Sequence, residues 1–390
     1  MQGDLRLRLF FLLIFDGISK SGVIKKIFSQ IKSLNDAGID ANLILIGDQS
    51  NLNINSSNII QIPIADLKTG NIINKIIRTR KIANIIGNQI QDLKPVDFVY
   101  IRYPILIPFC PLIFFKPFRK CKVIFEYNSI YRKEFLIGHN YLYLVLEFFW
   151  GNLIRYQADG GIAVTHELMN QQRKKIYNRN KPFITIANGI EVDSVPLRTP
   201  PNFIKDRLFT MICVANFSKW HGLDRLILGI TKYSGKYFVK LHIVGEGPEI
   251  VNLKNLCEEN NIIDQVIFHG YLSGPNLDRL FDESHLAVGE MGIHRNKMSE
   301  ASTLKAREYC SRGIPFTIEG SDPDFPNDFA YVMRIPMNEN PIEIDEVIMF
   351  ASRVCNDLDH PRKMRDYAFE HLDWSIKMKK LKTYLEDMVQ

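Results

Sequence analysis

The sequence predicts an α/β protein made of two doubly wound domains. Short apolar runs rich in β-branched residues alternate with segments of helical periodicity from end to end, which is typical of parallel sheets with helices on both faces. A proline-rich segment, residues 196–201, interrupts this alternation near the middle of the chain. With 390 residues and 46% hydrophobic content, the chain is long enough for two domains with a core each.

The elements follow from the same patterns. The clearest predicted helix carries Val23, Ile27, Ile31 and Leu34 at helical spacing and ends at Gly38, a residue suited to a C-terminal cap. The predicted strands are the apolar runs 7–15, 41–46, 98–101, 122–126, 160–164 and 183–186, and, after the prolines, 209–214, 239–244, 266–269, 286–289 and 314–318.

Polar and glycine residues are concentrated directly after these strands. The segments concerned are 16–22, 126–128, 165–166, 216–222, 245–247 and 290–300. Open α/β sheets bind ligands at the carboxyl ends of their strands, so we expect a site there, in a cleft between the two domains. Glycines occur at strand-to-helix turns in any fold of this kind, so this pattern by itself does not identify the ligand.

Charge is divided unevenly along the chain. The net charge of +6 is too small to indicate nucleic acid binding. Residues 1–195 hold 25 basic and 15 acidic side chains, a net of +10, whereas residues 196–390 hold 24 and 28, a net of −4. A basic half indicates an anionic partner, such as a membrane surface or a lipid-diphosphate acceptor, or simply solvated lysines on amphipathic helices.

The cysteines and the apolar runs indicate the cellular compartment of the protein. The six cysteines form no C-x-x-C pair, which fits a reducing compartment. Arg6 and Arg8 precede an apolar run, but Asp16 ends that run without a small-residue cleavage site, so we expect a buried strand and not a signal peptide. The longest uncharged apolar stretch, residues 103–115, is shorter than the ~20 residues of a membrane-spanning helix. We therefore expect a cytoplasmic protein with no transmembrane segment.

The most informative segment is residues 300–315. Glu300 and Glu308 stand eight positions apart, and a helix that starts at 302–303 leaves Glu300 in the preceding loop. The free N–H groups and the dipole at such a helix start favour an anion such as diphosphate. Lys305, in the first turn, opposes the helix dipole, which indicates either a phosphate partner or simple exposure.

In context, this segment resembles the retaining nucleotide-sugar glycosyltransferases of the GT-B fold, family 4. The family's two glutamates separated by seven residues, followed by Gly-x-Pro, are similar to Glu300, Glu308, Gly313 and Pro315. Further segments that resemble the family are 186–193, 241–249, 266–270 and 373–375. The resemblance implies two Rossmann-like domains that face a central cleft.

The resemblance also implies domain bounds and residue roles. The acceptor-side domain would span residues 1–198, the donor-binding domain 199–370, and a C-terminal helix, 371–390, would cross back to the first domain. Glu308 would accept hydrogen bonds from the ribose hydroxyls of the donor, and Glu300 would contact the transferred sugar. The structural alternative for Glu308 is an exposed helix position paired with Arg312 at i+4.

One loop departs from the family pattern. In many members, an arginine and a lysine in the loop after the first strand of the second domain bind the diphosphate of the donor. At the matching positions this chain has Asn216 and His221. Lys219, in the same loop, is the expected substitute. The segment Gly292–Arg295 resembles the Gly-x-His-Arg motif of a variant subset of the family. His294 is therefore a second candidate catalytic residue beside Glu300.

No visible pattern requires a metal. We expect the charge of the leaving group to be neutralised by helix N–H groups and by Lys219, Arg295 and Lys305, with His221 in the same donor site. Gly22, which precedes a first-domain helix, would permit close approach of the backbone to the donor phosphates or the acceptor.

The acceptor side is less informative. Glu126, Asn128 and His166 end first-domain strands and are candidates to orient the acceptor hydroxyl, although each is equally suited to a turn or cap. The aromatic stretches 104–118 and 141–150 lie near basic residues and are candidates for a membrane-docking surface, with burial in the core as the alternative.

We therefore expect a metal-independent retaining glycosyltransferase of cell-surface polysaccharide synthesis, with a nucleotide sugar as donor and no separate cofactor. Its acceptor would be a glycan or a polyprenyl-diphosphate-linked glycan, and the inner face of the membrane is a candidate location. Two alternatives remain open. A nucleotide-sugar epimerase would need a carboxylate set around the sugar carbons. A non-catalytic GT-B module that stabilises a partner transferase is favoured by Asn216 and His221.

Overall fold

The structure, a computed structural model, describes residues 7–15, 22–47, 58–63, 72–103, 111–130, 141–176, 180–202 and 207–390. The chain divides into two compact units, Met1–Ala187 with Trp374–Gln390, and Asn188–Asp373. Each unit is built on a parallel sheet. The predicted α/β class with two doubly wound sheets is confirmed.

The described part of the first unit contains a seven-stranded parallel sheet in the order β3-β2-β1-β4-β5-β6-β7. Its strands are β1 (Arg8–Phe15), β2 (Asp40–Gly47), β3 (Ile59–Pro63), β4 (Phe98–Tyr103), β5 (Lys122–Tyr127), β6 (Gly160–Ala163) and β7 (Phe183–Thr185). The helices between them are α1 (Gly22–Asp36), α2 (Ile72–Gln89), α3 (Pro111–Phe114), α4 (Tyr141–Tyr156) and α5 (His166–Lys175), with a 3₁₀ turn at Lys116–Lys120.

Strand order decides which face of this sheet each helix covers. The chain moves from β1 to β2 in one direction, and from β3 to β4, β5 and β6 in the other. Because crossovers between parallel strands are right-handed, α1 lies on one face and α2, α3 and α4 lie on the opposite face. The predicted helix up to Gly38 is confirmed as α1, which buries Ile27, Ile31 and Leu34.

The second unit contains a six-stranded parallel sheet in the order β10-β9-β8-β11-β12-β13. Its strands are β8 (Leu208–Val214), β9 (Phe238–Val244), β10 (Val266–Gly270), β11 (Leu286–Ala287), β12 (Phe316–Glu319) and β13 (Val332–Ile335). Its helices are α6 (Leu223–Lys232), α7 (Ile250–Glu259), α8 (Pro275–Glu283), α9 (Leu304–Arg312), α10 (Ile344–Cys355) and α11 (His360–His371). Short 3₁₀ turns lie at Val192–Ser194, Lys219–His221 and Ile293–Asn296.

Two strands were absent from the sequence prediction, β3 and β13. Both lie at the edge of a sheet, where a strand pairs on one side only and buries less of its surface. Val332, Met333 and Arg334 of β13 are accordingly half-buried. Neither strand has the long apolar run that identifies the central strands of a parallel sheet.

The unit boundaries differ from the predicted ones. The boundary expected after residue 198 lies within the second unit, since contacts tie residues 188–202 to that unit. Arg198 is buried there, and its Nε donates to the carbonyl of Gly313 over 3.0 Å. At the other end, the C-terminal helix α12 (Trp374–Asp387) packs on the first unit, where Trp374 and Leu381 join the core beneath β1 and β2.

Candidate functional site

The start of helix α9 is not capped by a side chain. Its N-cap residue, Thr303, has extended backbone, but its hydroxyl makes no hydrogen bond to the first turn. Instead, Thr303 Oγ1 donates to Oε2 of Glu290 over 3.1 Å. The backbone N–H groups of the first turn are therefore left without the side-chain acceptor that Thr usually supplies.

Lys305, in that first turn, faces the other oxygen of the same carboxylate. Its Nζ lies 3.1 Å from Oε1 of Glu290, and the two side chains are only 10% and 4% exposed. The two atoms form an ion pair but lack the geometry of a hydrogen bond, and among the described residues neither has another hydrogen-bond partner. Buried polar atoms are nearly always hydrogen-bonded, so this pair retains unused capacity for a polar ligand.

A third buried polar atom without a hydrogen bond lies beside the helix start. Asn188 is held against the loop before α9 by two hydrogen bonds, from its N–H to Ser302 Oγ (2.8 Å) and from its Nδ2 to the carbonyl of Ser302 (2.6 Å). Its Oδ1 is buried and makes no hydrogen bond with any residue that the structure describes. The start of α9 thus has an uncapped helix end and three unsatisfied polar atoms, a combination that suits a charged, multiply hydrogen-bonding ligand.

His221 adds a neutral donor. Burial, and then the positive charge of Lys305, lowers the pKa of His221 to about 2, so the ring is uncharged at physiological pH. Its Nδ1 lies 3.0 Å from the backbone N of Ser218 and 3.2 Å from the Ser218 carbonyl oxygen. In the tautomer in which Nδ1 accepts from the Ser218 N–H, the shorter of the two contacts, the ring proton is on Nε2. In the described part of the chain, Nε2 meets no acceptor. The ring is held by stacking on Trp220, with centroids 4.1 Å apart.

Two glycines fix the loop that carries His221. Gly222 has φ 68°, and a Cβ there would lie 2.5 Å from the backbone carbon of Met291. Gly247 has φ 142°, and a Cβ there would lie 2.3 Å from the backbone N of Phe217. Both positions therefore require glycine, because a side chain would meet backbone and not a movable group. The loop is packed between the segments after β9 and β11.

Two predicted site residues, His294 and Arg295, are engaged by carboxylates. The ring nitrogens of His294 lie 2.8 Å from Glu319 Oε1 and 2.8 Å from Glu339 Oε1. Arg295 contacts both oxygens of Asp224 and both of Glu339, and these hydrogen bonds raise its pKa. In this structure, their polar atoms bind protein and are not presented to a phosphate.

The predicted Lys219 and the two glutamates have distinct surroundings. The Lys219 side chain is exposed, and its carbonyl accepts from Arg295 over 2.7 Å. Glu300 is buried in the loop before α9. Glu308 pairs with Arg312 at i+4 over 2.9 Å, the structural alternative that the sequence left open, and its side chain is 28% exposed. Only its Oε1 is used in that pair.

Arg307, which the sequence did not single out, anchors this region. Its side chain is fully buried, makes a two-pronged contact with Asp322 and reaches Asp324 Oδ2 over 2.7 Å. Burial lowers the pKa of Arg307, but the two aspartates raise it by more. Its Nε donates to the carbonyl of Asn188 over 2.9 Å, so one side chain joins α9 to the turn at residue 188. Glu290 was likewise missed, although its position after a strand was the available signal.

In the first unit, the structure brings together Glu126 and Asn128, both of which bind Lys26. Lys26 Nζ donates to Glu126 Oε1 over 2.7 Å and to Asn128 Oδ1 over 2.9 Å. Burial raises the pKa of Glu126, but Lys26 and Arg102 lower it by more, so the carboxylate stays charged. Lys26 was not predicted, since a lysine beside an apolar helical stripe is usually solvated.

The other first-unit candidates do not join this group. His166 is exposed at the start of α5, after Thr165, whose hydroxyl accepts from the N–H of Leu168 over 3.1 Å. Gly22 is the first residue of α1, the helix that carries Lys26. The rest of the predicted 16–22 loop lies outside the described residues. Among the described residues, no group of three or more His, Cys, Asp or Glu side chains is arranged to hold a metal ion.

Comparison with known proteins bears on what this site does. Residues 198–316 match the protein family described as Glycosyl transferases group 1. The match supports a glycosyltransferase of this type. The matched range includes the His221 loop, Glu290, the start of α9 and Arg307.

The N-acetyl-alpha-D-glucosaminyl L-malate synthase of Bacillus anthracis is 29% identical over 128 residues, which are 30% of this chain and 33% of that enzyme. The match thus spans about a third of the length of this curated relative.

Solved structures match over nearly the whole chain. A glycosyltransferase from Rickettsia africae ESF-5 gives a TM-score of 0.66 at 12% identity and covers 99% of both chains. Sucrose-phosphate synthase from Thermosynechococcus elongatus gives 0.66 at 13% identity, over 98% of this chain and 99% of that one. Anabaena Alr3699/HepE, in complex with UDP-glucose, gives 0.63 at 12% identity, over 98% and 100%. At these identities the similarity shows the fold, that of GT-B glycosyltransferases.

Proposed function

We propose that the protein is a retaining glycosyltransferase that moves a sugar from a nucleotide-diphosphate sugar to a glycan or lipid-linked glycan in cell-surface polysaccharide synthesis. The observation that carries the proposal is the uncapped start of α9 beside the buried, incompletely bonded pair Lys305–Glu290. Relatives support the donor class, since HepE was solved with UDP-glucose and the Bacillus anthracis enzyme is named for an N-acetylglucosaminyl product.

The diphosphate of the donor would bind at the start of α9. Backbone N–H groups of the first turn, the ammonium of Lys305 and the Nε2–H of His221 supply donors of three kinds for its oxygens. When the anomeric bond breaks, charge develops on the leaving oxygen, and fixed donors lower that barrier. A preorganised donor in such a role is worth roughly 2.7–4 kcal/mol.

Glu308 would receive the ribose of the donor. Its Oε2 makes no hydrogen bond with the described residues, while Arg312 holds Oε1 at 2.9 Å and so orients the carboxylate. A carboxylate accepts from two vicinal hydroxyls, which selects a ribose. Arg312 is itself fixed by Asp278 over 2.7 Å, so Glu308 can engage a ligand without leaving the arginine unpaired.

The replacement of two usual cations does not favour the non-catalytic module. His221 stands where many family members have a lysine, yet it is a buried, neutral donor beside Lys305. We propose that the ammonium of Lys305 and the neutral N–H donor of His221 together take over the diphosphate contacts of the missing cations, that no metal is needed, and that the enzyme acts at the inner face of the membrane. The basic first half of the chain supports an anionic, lipid-linked acceptor.

Isothermal titration tests the diphosphate site. Inorganic diphosphate, UDP, GDP and ADP are titrated in the presence of EDTA into the wild type, Lys305→Ala and Lys232→Ala, the last an exposed lysine at the end of α6. We expect one nucleoside diphosphate to bind, a loss of at least about tenfold in Lys305→Ala, which corresponds to about 1.4 kcal/mol, and no change in the control. Equal affinity in all three proteins would exclude the site.

Turnover tests the reaction. Release of nucleoside diphosphate is followed with a panel of nucleotide sugars for the wild type, Glu308→Ala and Glu259→Ala, an exposed control in the last turn of α7. We expect turnover that is lost in Glu308→Ala only, and a product with the donor's anomeric configuration by NMR. Inversion would reject the retaining mechanism, and absence of turnover with every donor would favour the non-catalytic module. Interconversion of the free nucleotide sugars would identify an epimerase.

A further inference from the structure

Helix α4 exposes several aromatic side chains to solvent, whereas its charged side chains are buried. The exposed positions Tyr141, Val145, Phe148, Phe149 and Tyr156 recur at helical spacing, which places them on one face, and they are 59%, 50%, 66%, 70% and 62% exposed. A helix at a water-facing surface normally has the opposite arrangement, with polar residues outward.

The only charged residues of α4, Glu147 and Arg155, are buried as an ion pair. Arg155 also donates to Gln172 over 3.1 Å and stacks on the ring of Tyr103. Their burial fixes the orientation of the helix, because rotating the helix to expose these charges would break the ion pair. The apolar face is therefore turned outward by the fold and not by a fluctuation.

Basic residues surround this face on neighbouring elements. On α2, Ile73 and Ile77 are exposed on the same helical face as Arg80 and Lys81. The 3₁₀ turn after α3 exposes three more basic side chains, Lys116, Arg119 and Lys120. Leu112 of α3 is 55% exposed between α2 and α4, both of which α3 contacts. These helices also share one face of the sheet, as the right-handed crossovers require.

We propose that this aromatic and basic face, formed by the exposed residues of α2, α3, the 116–120 turn and α4, docks on a bilayer that contains anionic lipids. Tyr, Phe and Leu side chains insert at the level of the headgroups, while Arg and Lys side chains contact lipid phosphates. The described residues of these four elements include one acidic side chain, the buried Glu147, so none opposes an anionic surface.

The charges around this face favour a membrane over a second copy of the chain. A second copy placed face to face would bring the two basic rims together, and like charges repel. No helix in the described parts of the chain is long and apolar enough to cross a bilayer. This face would hold the protein at the proposed membrane location whether or not it catalyses the transfer reaction.

Vesicle co-sedimentation tests the proposal. The full chain is mixed with vesicles of phosphatidylcholine alone or with 30% phosphatidylglycerol added, at low and high salt. The variants are Phe148→Ser/Phe149→Ser and Arg119→Glu/Lys120→Glu. The matched controls, from the second unit and from α12, are Tyr271→Ser/Leu358→Ser, at positions 75% and 86% exposed, and Lys379→Glu/Lys380→Glu. Trp150, 37% exposed on α4, reports insertion by a blue shift of its fluorescence.

We expect binding to vesicles with phosphatidylglycerol, weakened by salt, and a loss of at least tenfold in each variant of the face but not in the controls. Nucleoside diphosphate binding and donor turnover should stay intact in these variants, which separates this proposal from the proposed function. Equal vesicle binding by the Phe148→Ser/Phe149→Ser variant overturns it. The proposal is also overturned if the wild type forms a dimer in the absence of vesicles and the Phe148→Ser/Phe149→Ser variant does not, because the face would then bind a second copy of the chain.

Discussion

The ammonium of Lys305 lies 3.1 Å from Oε1 of Glu290, and the hydroxyl of Thr303 donates to the other oxygen of the same carboxylate. One buried carboxylate therefore holds the cation of the first turn of α9 and draws the N-cap side chain away from the helix. The helix end stays open because Glu290 competes for its cap.

This relationship predicts the behaviour of Glu290→Gln. The substitution leaves Lys305 buried without its counter-charge, and breaking a buried pair costs about 3 kcal/mol of unfolding free energy. A bound diphosphate would restore the missing negative charge, so we expect inorganic diphosphate to raise the melting temperature more in this variant than in the wild type. The double variant Lys305→Met/Glu290→Gln is the control, in which stability should recover but the effect of diphosphate should disappear. An identical response in all three would contradict the pairing.

Replacement of the Arg307 anchor should be costly. Arg307→Ala leaves Asp322 and Asp324 as uncompensated charges, of which Asp322 is buried and already has a raised pKa, chiefly because of its burial. We expect a loss of about 3–5 kcal/mol in unfolding free energy, measured by urea denaturation. The control is Arg279→Ala, which breaks an ion pair on the surface of α8 and should change little. Equal losses at the two positions would show that burial of the charges does not matter here.

Two glycines with nearly the same positive φ allow the cost of that φ to be measured apart from the cost of close packing. Gly222 and Gly270 have φ values of 68° and 67°, but a Cβ meets Met291 at 2.5 Å in the first case and nothing within 4 Å in the second. Gly270→Ala should cost about 1 kcal/mol for the positive φ alone. Gly222→Ala should cost a further ~1–3 kcal/mol from the clash and should weaken diphosphate binding, since His221 would move. Equal costs in urea unfolding would rule out the close approach.

Acid should destabilise the protein through buried histidines. The pKa of His221 is lowered to about 2 and the pKa values of His242, His285 and His360 are lowered to about 4, in each case mainly by burial. Below the unfolded pKa of about 6.5, the unfolded chain binds protons that the folded protein does not, so stability falls as pH falls from about 6.5 towards 4.

One substitution isolates a single histidine. His285→Asn keeps an acceptor for the backbone N–H of Thr210, which His285 Nδ1 now meets at 3.0 Å, but it cannot titrate. We expect the loss of unfolding free energy between pH 6.5 and 4.5 to shrink by up to ~1.4 kcal/mol per pH unit, the contribution of one proton. Urea unfolding at several pH values measures this slope, and a slope unchanged by the substitution would show that His285 is not excluded from protonation in the fold.

The sequence by itself determined the α/β class and the central strands, and it predicted a candidate site at the start of α9. Apolar runs, helical spacing and helix caps depend on neighbours within a few residues, so they can be recognised without the fold. The helix that begins after Thr303 and ends at Gly313 follows from such local rules. The edge strands β3 and β13 were not predicted, because their burial depends on the strand beside them.

Only the tertiary structure decided which charges meet. Lys26 pairs with Glu126, which is one hundred positions away in the sequence, and Arg295 pairs with Glu339, which is forty-four positions away. The sequence treated Arg295 as a phosphate ligand and did not consider Lys26, because the cost of burying a charge is set by partners that the sheet order brings close. The same reason applies to Glu290: its carboxylate organises the start of α9 through contacts that exist only once the segment after β11 lies against that helix end.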